Sequence, residues 1–320
     1  MNLSKYQNYI NTELNNNFLI AIKRNPKLHE MSSHAIQGGK RLRPAIAYDI
    51  FQSISSHPNS SYTEAINNMV ISIELLHSTS LIIDDLPSMD NDIERRGKPT
   101  IHHKYGTTAA HILAMFFIQK SFQFWTESVN NLDISNLNPN ILNEVQTYYT
   151  QQMNLATQGQ YFDLFAVKEN LDDSFLQQLV TLNLNNLNIE TETQSTQSII
   201  LKSCLLKTAP FFVIAFIGGY LLGKSQNGEI IKDKLAISEV KEIGELFGLA
   251  FQISDDFLDI NEDNKWDNYV VCVGKTKAYS TFNKIWNSLE TKMKHLNIWS
   301  PFFIELKNIL FKRCYQAMSK

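Results

Sequence analysis

Cysteine is nearly absent from this chain: Cys204, Cys272 and Cys314 stand far apart, with no paired spacing. They read as free thiols of a reducing compartment or as small buried hydrophobes. An excess of positive charge is missing as well. Lysine and arginine number 29 against 32 acids, a formal net charge of -3, which argues against the basic footprint of a nucleic-acid surface. The opening MNLSKYQNYINTELNNN has no basic stretch leading into an apolar run, so no secretory leader is expected. It also lacks arginine and carries Glu13, which speaks against a transit peptide. The most apolar stretch, 211–223, is shorter than the roughly 20 residues needed to cross a bilayer. These absences predict a cytoplasmic protein that does not span a membrane and takes no nucleic-acid partner.

Strand-type alternation is scarce and no internal repeat stands out. Glycine and proline fall at segment ends rather than inside them. What the chain does contain is helical periodicity. Ile243, Leu246, Phe247, Ala250, Ile253 and Phe257 recur at three- and four-residue steps, as one apolar helix face requires. Similar signatures run through 64–85, 107–128, 138–169, 199–223 and 301–318. With 320 residues, 43% of them hydrophobic, a substantial core is within reach. The expectation is an all-α protein, a single domain over 1–320 made of long packed helices. Loops are expected at 53–62 and 128–140, and the polar 181–198 reads as a surface insertion.

Two acid clusters each close an apolar helix: Asp84-Asp85-Leu86-Pro87-Ser88-Met89-Asp90 and Asp255-Asp256-Phe257-Leu258-Asp259. Carboxylates at a helix C-terminus meet the negative end of its dipole, so they need a strong cationic partner. Mg²⁺ suits such clusters, because it takes a few carboxylates and completes its shell with water and substrate phosphates. Pro87 ends or bulges the first helix, which lets Asp90 fold back toward Asp84. Asp255 and Asp259 lie one turn apart, with Gln252 one turn earlier. Either cluster alone also fits a solvated acidic helix end; two together, each against an apolar face, favour metal.

Arg95 and Arg96 follow the first cluster by five residues, and an arginine fork matches phosphate oxygens two at a time. Gly38-Gly39-Lys40-Arg41-Leu42-Arg43-Pro44 supplies a second basic nest; alone it also fits a solvated surface, and beside an aspartate–metal site Lys40 and Arg43 suit a second, metal-free diphosphate. Lys207-Thr208 interrupts an apolar run; a lysine there either snorkels to the surface or meets a buried anion.

The run ELLHSTSLIIDDLPSMDNDIERRGKPTIHHKYG closely resembles the first aspartate-rich region of trans-prenyltransferases, the farnesyl and geranylgeranyl diphosphate synthases. GGKRLRP, GQYFDL, LKT and FQISDDFLD resemble that family's other landmarks, in the family's order. The resemblance implies a helical bundle of the isoprenoid synthase type around a deep central cavity, acting as a homodimer. It implies condensation of isopentenyl diphosphate with an allylic diphosphate (dimethylallyl, geranyl or farnesyl). Asp84, Asp90 and Asp255 would hold Mg²⁺ against the allylic diphosphate, with Asp85, Asp256 and Asp259 in support. Arg95, Lys207 and Lys265 would contact the same diphosphate, and Lys275 would lie near it. Lys40, Arg43, His77 and Arg96 would hold isopentenyl diphosphate. Thr208 and Gln252 would aim oxygen dipoles at the developing allylic cation. Thr79 and Ser80, one turn before Asp84, match the family's chain-length positions; being small, they favour a geranylgeranyl over a farnesyl product.

The chain departs from the family pattern in places. Ala114-Met115-Phe116-Phe117-Ile118 stands where the family usually has Ala-Gly-Asp-Ala-Leu, and the larger side chains either fill cavity space or repack the core. The loop after Asp259 is short, so the Lys265 match needs a gap, and Val270 falls about where the family has an acid. A catalytically weak homologue that binds prenyl diphosphates or regulates an active partner therefore stays open. A class I terpene cyclase also stays open, although it would carry an Asn/Ser/Glu metal motif at 255–259 and would not need Lys40 and Arg43.

Overall fold

The structure, a computed structural model, describes residues 2–55, 58–130, 139–169, 189, 196–226, 234–260 and 268–319. It is all-α apart from one two-residue hairpin. In chain order the helices are α1 (Leu3–Glu13, continued by a π turn at Leu14–Leu19), α2 (Pro26–Ile36), α3 (Leu42–Ile54), α4 (Ser60–Asp84), α5 (Ile101–Tyr105) and α6 (Thr107–Asn130). They continue with α7 (Pro139–Glu169), α8 (Thr196–Lys207), α9 (Ala209–Gln226), α10 (Lys234–Asp256), α11 (Tyr269–Val273), α12 (Lys275–His295) and α13 (Pro301–Met318). Strands β1 (Glu94–Arg95) and β2 (Lys98–Pro99) pair antiparallel between α4 and α5. Arg96 and Gly97 turn that hairpin with φ of 56° and 72°, the left-handed pair a tight two-residue loop requires.

Asparagine starts several of these helices. The side chains of Asn2, Asn25, Asn59 and Asn268 each accept a backbone N–H from the first turn of α1, α2, α4 and α11, one of the donors a helix start leaves unsatisfied. Pro26 and Pro301 occupy opening positions of α2 and α13, where their missing N–H costs nothing.

The chain packs into two compact units. The first, Met1–Leu142 with Gly218–Ile231, is built on α4, whose inward residues run from Tyr62 to Ile82. α6 lies close beside it because serines meet: Ser72 Oγ donates to the Ser121 carbonyl at 2.7 Å, and Ser121 Oγ returns the bond at 2.6 Å. Phe116 and Phe117 turn toward Phe18 of the π turn, with ring centres 6.2 and 5.6 Å away. The bulky 114–118 stretch is therefore part of an aromatic core, with Met115 left exposed. Among the described residues α4 is long and apolar enough by itself to cross a membrane, with 67% of its apolar window buried inside the structure, and the stretch 211–223 qualifies only jointly with the bent helix before it.

The second unit, Asn143–Ile217 with Lys232–Lys320, is centred on α10. Phe247 of α10, with Phe216, Trp286 and Phe303, forms a fully buried aromatic cluster. Residues 199–223, expected as one helix, form two. Pro210, second in α9, cannot give an N–H to the Leu206 carbonyl and its ring crowds that turn, so α8 and α9 meet at Thr208 with a 46° bend. Helices at α1, α2, α3 and α12 were not expected from periodicity. The 181–198 stretch falls outside the described residues except for Ile189 and the start of α8.

Candidate active site

In the first unit the positions singled out in the sequence follow from one face of α4. Glu74, His77, Leu81 and Asp84 are spaced three and four apart and share that face. At its end the chain leaves the helix, Asn91 adopts φ of 56°, and the N–H of Asp90 donates to the Asp84 carbonyl at 2.9 Å. Two acids six positions apart are thereby held in one turn. Asp84 is half-buried and Asp90 exposed. Asp85 points elsewhere: it is 5% exposed and accepts from Arg95 Nε at 2.5 Å. Burial raises the Asp85 pKa, against the pull of that guanidinium.

The adjacent arginines separate. Arg95 in β1 bonds Asp85 and, through Nη2, Asp92 at 3.1 Å. Arg96, in the turn, lies against the glycine loop, so that a Cβ on Gly38 would touch its side chain at 3.8 Å. In that loop Arg41 has φ of 55° and turns inward. It pairs with Glu74, bonds the Ile36 carbonyl, and gives Nε to Asn11 at 2.9 Å. With Arg41 committed inward, Lys40 stays exposed. Arg43 Nη1 donates to His77 Nε2 at 3.3 Å. That contact requires an unprotonated Nε2. Burial, then Arg43, Arg96, Arg41 and Arg95, hold the His77 pKa well below its ordinary value, so the ring is neutral near pH 7.

Thr79 and Ser80 differ in setting. Thr79 is buried, its hydroxyl bonded to the Leu75 carbonyl, whereas Ser80 is half-buried and bonds the His77 carbonyl.

In the second unit the site follows from close helix approach. A Cβ on Gly244 would overlap the Val213 backbone, and one on Gly248 the Ala209 backbone. Gln252 is the next residue on the same face, and its Oε1 accepts from the Thr208 hydroxyl at 3.0 Å. Gln252 Nε2 then donates to Asp256 at 2.9 Å, and the other Asp256 oxygen accepts the Tyr269 N–H at 2.9 Å. Asp256 is 3% exposed and anchors α11, where Val270 is buried. Asp255 and Asp259, partly open to solvent, are one turn apart. Asp255 pairs with Arg313.

Lys207, on the last turn of α8, pairs with Asp163 of α7. Gly159 makes this possible, because any Cβ there would strike the Leu206–Lys207 backbone. Lys275 Nζ bonds the Ala317 carbonyl at 2.6 Å. Lys265 lies outside the described residues.

Three residues not singled out in the sequence prove structurally important: Arg41, Glu74 and Arg313. A glutamate inside the apolar run of α4 is itself a signal, because a charge there requires a buried partner. Arg313 gives no local sign.

The donors fit a hard divalent cation. They are all oxygen, with two solvent-reachable carboxylates in each cluster. Among the described residues no three His, Cys, Asp or Glu close on one point. Carboxylate oxygens of this kind suit an ion that takes few protein ligands and fills the rest of its shell with water and phosphate.

Known proteins share this arrangement of chain. A trans-prenyltransferase of African swine fever virus is 28% identical over 294 residues, covering 88% of this chain and 76% of the relative. A geranylgeranyl diphosphate synthase of Saccharolobus solfataricus is 30% identical over 265 residues, covering 82% and 67%. The crystal structure of a geranyltransferase from Legionella pneumophila matches 97% of this chain and 96% of its own, with a TM-score of 0.71 at 20% identity. The profile of the polyprenyl synthetase family matches residues 25–272 and so takes in the glycine loop and both acid clusters; the chain belongs to that family.

Proposed function

We propose that the protein is a Mg²⁺-dependent prenyl chain elongase, joining isopentenyl diphosphate to dimethylallyl, geranyl or farnesyl diphosphate. The observation that carries this reading is the turn that holds Asp84 and Asp90 together while the buried Asp85 fixes Arg95 beside them. That is an arrangement for a metal and an anion on one helix end.

Asp84 and Asp90, and likewise Asp255 and Asp259, are the carboxylates assigned to metal. Mg²⁺, when bound, supplies the positive charge that stabilises the departing diphosphate. Arg95 and Lys207 add charge to the same anion; Lys207 exchanges Asp163 for phosphate oxygen. Isopentenyl diphosphate is held by Lys40, Arg43 and Arg96. Neutral His77 keeps the Arg43 guanidinium in place without adding charge. The allylic carbon–oxygen bond breaks, the isopentenyl double bond attacks the cation, and the proton lost passes to the departing diphosphate. Thr208 gives its hydroxyl proton to Gln252, which leaves the Thr208 oxygen lone pairs to face positive charge.

The small Ser80 and the geranylgeranyl synthase relative support a geranylgeranyl product, with farnesyl as the shorter outcome. Ile112, Met115 and Phe122 form an exposed apolar stripe on α6, which supports a homodimer. Balanced charge and few cysteines support a cytoplasmic setting. The test is purified protein with Mg²⁺, labelled isopentenyl diphosphate and each allylic co-substrate, products being sized after dephosphorylation. Elongated alcohols are expected; cyclic hydrocarbons or no product would overturn the assignment.

A further inference from the structure

Arg313 and Asp255 are 58 positions apart, yet Arg313 Nη1 donates directly to Asp255 Oδ1. The arginine side chain is only 16% exposed and the acid 33%. The guanidinium carbon lies 5.6 Å from the centre of the Phe251 ring, one turn before Asp255 on α10. α13 is itself anchored: Cys314, next to Arg313, is fully buried, and Lys275 bonds the Ala317 carbonyl. The fold thus presses this arginine onto the acid.

We infer that Arg313 is a resident cation for Asp255, holding the carboxylate until a metal displaces it. The inference rests on the assignment of Asp255 to Mg²⁺ above. Asp255 adjoins Asp256 and lies one turn from Asp259, so without a nearby cation its charge is disfavoured. A guanidinium hydrogen bond meets that need. Bare Mg²⁺ gives up its water reluctantly and gains little by evicting an arginine. Metal arriving with a diphosphate brings an anion for the displaced guanidinium. Asp255 therefore resists bare metal and accepts metal with diphosphate, so the ion and the substrate anion enter this cluster together.

The test is Mn²⁺ binding to the substrate-free protein, read by the electron spin resonance of free Mn²⁺. Arg313→Gln is expected to tighten binding by about tenfold, the scale of one charge-assisted hydrogen bond. Adding Asp255→Asn is expected to remove the gain, and Arg313→Lys to stay within about twofold of wild type. Unchanged or weaker binding in Arg313→Gln overturns the inference. Should that variant melt early, wild-type protein with ¹⁵N-arginine gives a second reading. The Arg313 side-chain resonance, assigned by its loss in Arg313→Lys, must shift when Mg²⁺ and inorganic diphosphate are added together; an unmoved resonance overturns the inference. Product formation in the elongation assay is scored separately, so a tenfold gain without product rejects the elongase reading alone.

Discussion

Glu74 of α4 and Arg41 of the glycine loop form an ion pair with the two side chains only 1% and 4% exposed. A Cβ on Gly39 would crowd both partners and Arg96 Nη1 as well, so the loop closes only around this pair. Removing one partner strands the other charge inside the protein. Glu74→Gln should cost about 3–5 kcal/mol in urea unfolding. Replacing both as Arg41→Met with Glu74→Leu should recover much of that loss, because desolvating two charges consumes most of what their attraction returns. A double variant as unstable as the single would show that the pair is needed for more than charge balance.

His77 yields a pH dependence. Its folded pKa lies well below the ordinary 6.5, so the native state refuses a proton that the unfolded chain accepts. Stability is fully present above about pH 6.5 and falls as the pH drops toward the folded pKa, by at most about 1.4 kcal/mol per pH unit. His77→Gln should flatten that part of the profile in unfolding titrations between about pH 5 and 7. Equal slopes in the two proteins would mean that the ring is protonated in the fold.

The acids of the first cluster should separate by assay. Asp84→Asn should lower kcat/KM by about 10²–10³ and respond to added Mg²⁺, as loss of a charge-stabilising group does. Asp85→Asn should instead cost about 1–3 kcal/mol of stability through Arg95 and stay insensitive to metal. Identical metal responses would contradict the division of labour.

The two residues proposed to set chain length are also unequal. Ser80→Phe should shorten the product with little change in melting, since Ser80 is half-buried. Thr79→Phe should cost about 1–3 kcal/mol by overpacking a site 3% exposed. A shortened product from Thr79→Phe at wild-type stability would place the floor under that residue.

Much of this was legible in the chain itself. The period of Ile243 to Phe257 marks α10, and Pro87 marks the turn that returns Asp90 to Asp84. Other parts were not legible for physical reasons. Pro210 follows Lys207 so closely that an apolar run hides the bend it causes. The inward course of Arg41 depends on Glu74, 33 positions away, and Arg313 meets Asp255 across 58 positions. No local pattern records either contact.

The middle acid of each cluster is tied into the fold. Asp85 serves Arg95, and Asp256 serves Gln252 and the start of α11, so in each triplet one acid is committed to the fold and the proposed metal role falls to the other two. A divalent ion cancels two. Lengthening a middle acid by one methylene, as Asp256→Glu, should therefore register first in the melting curve and only afterwards in turnover.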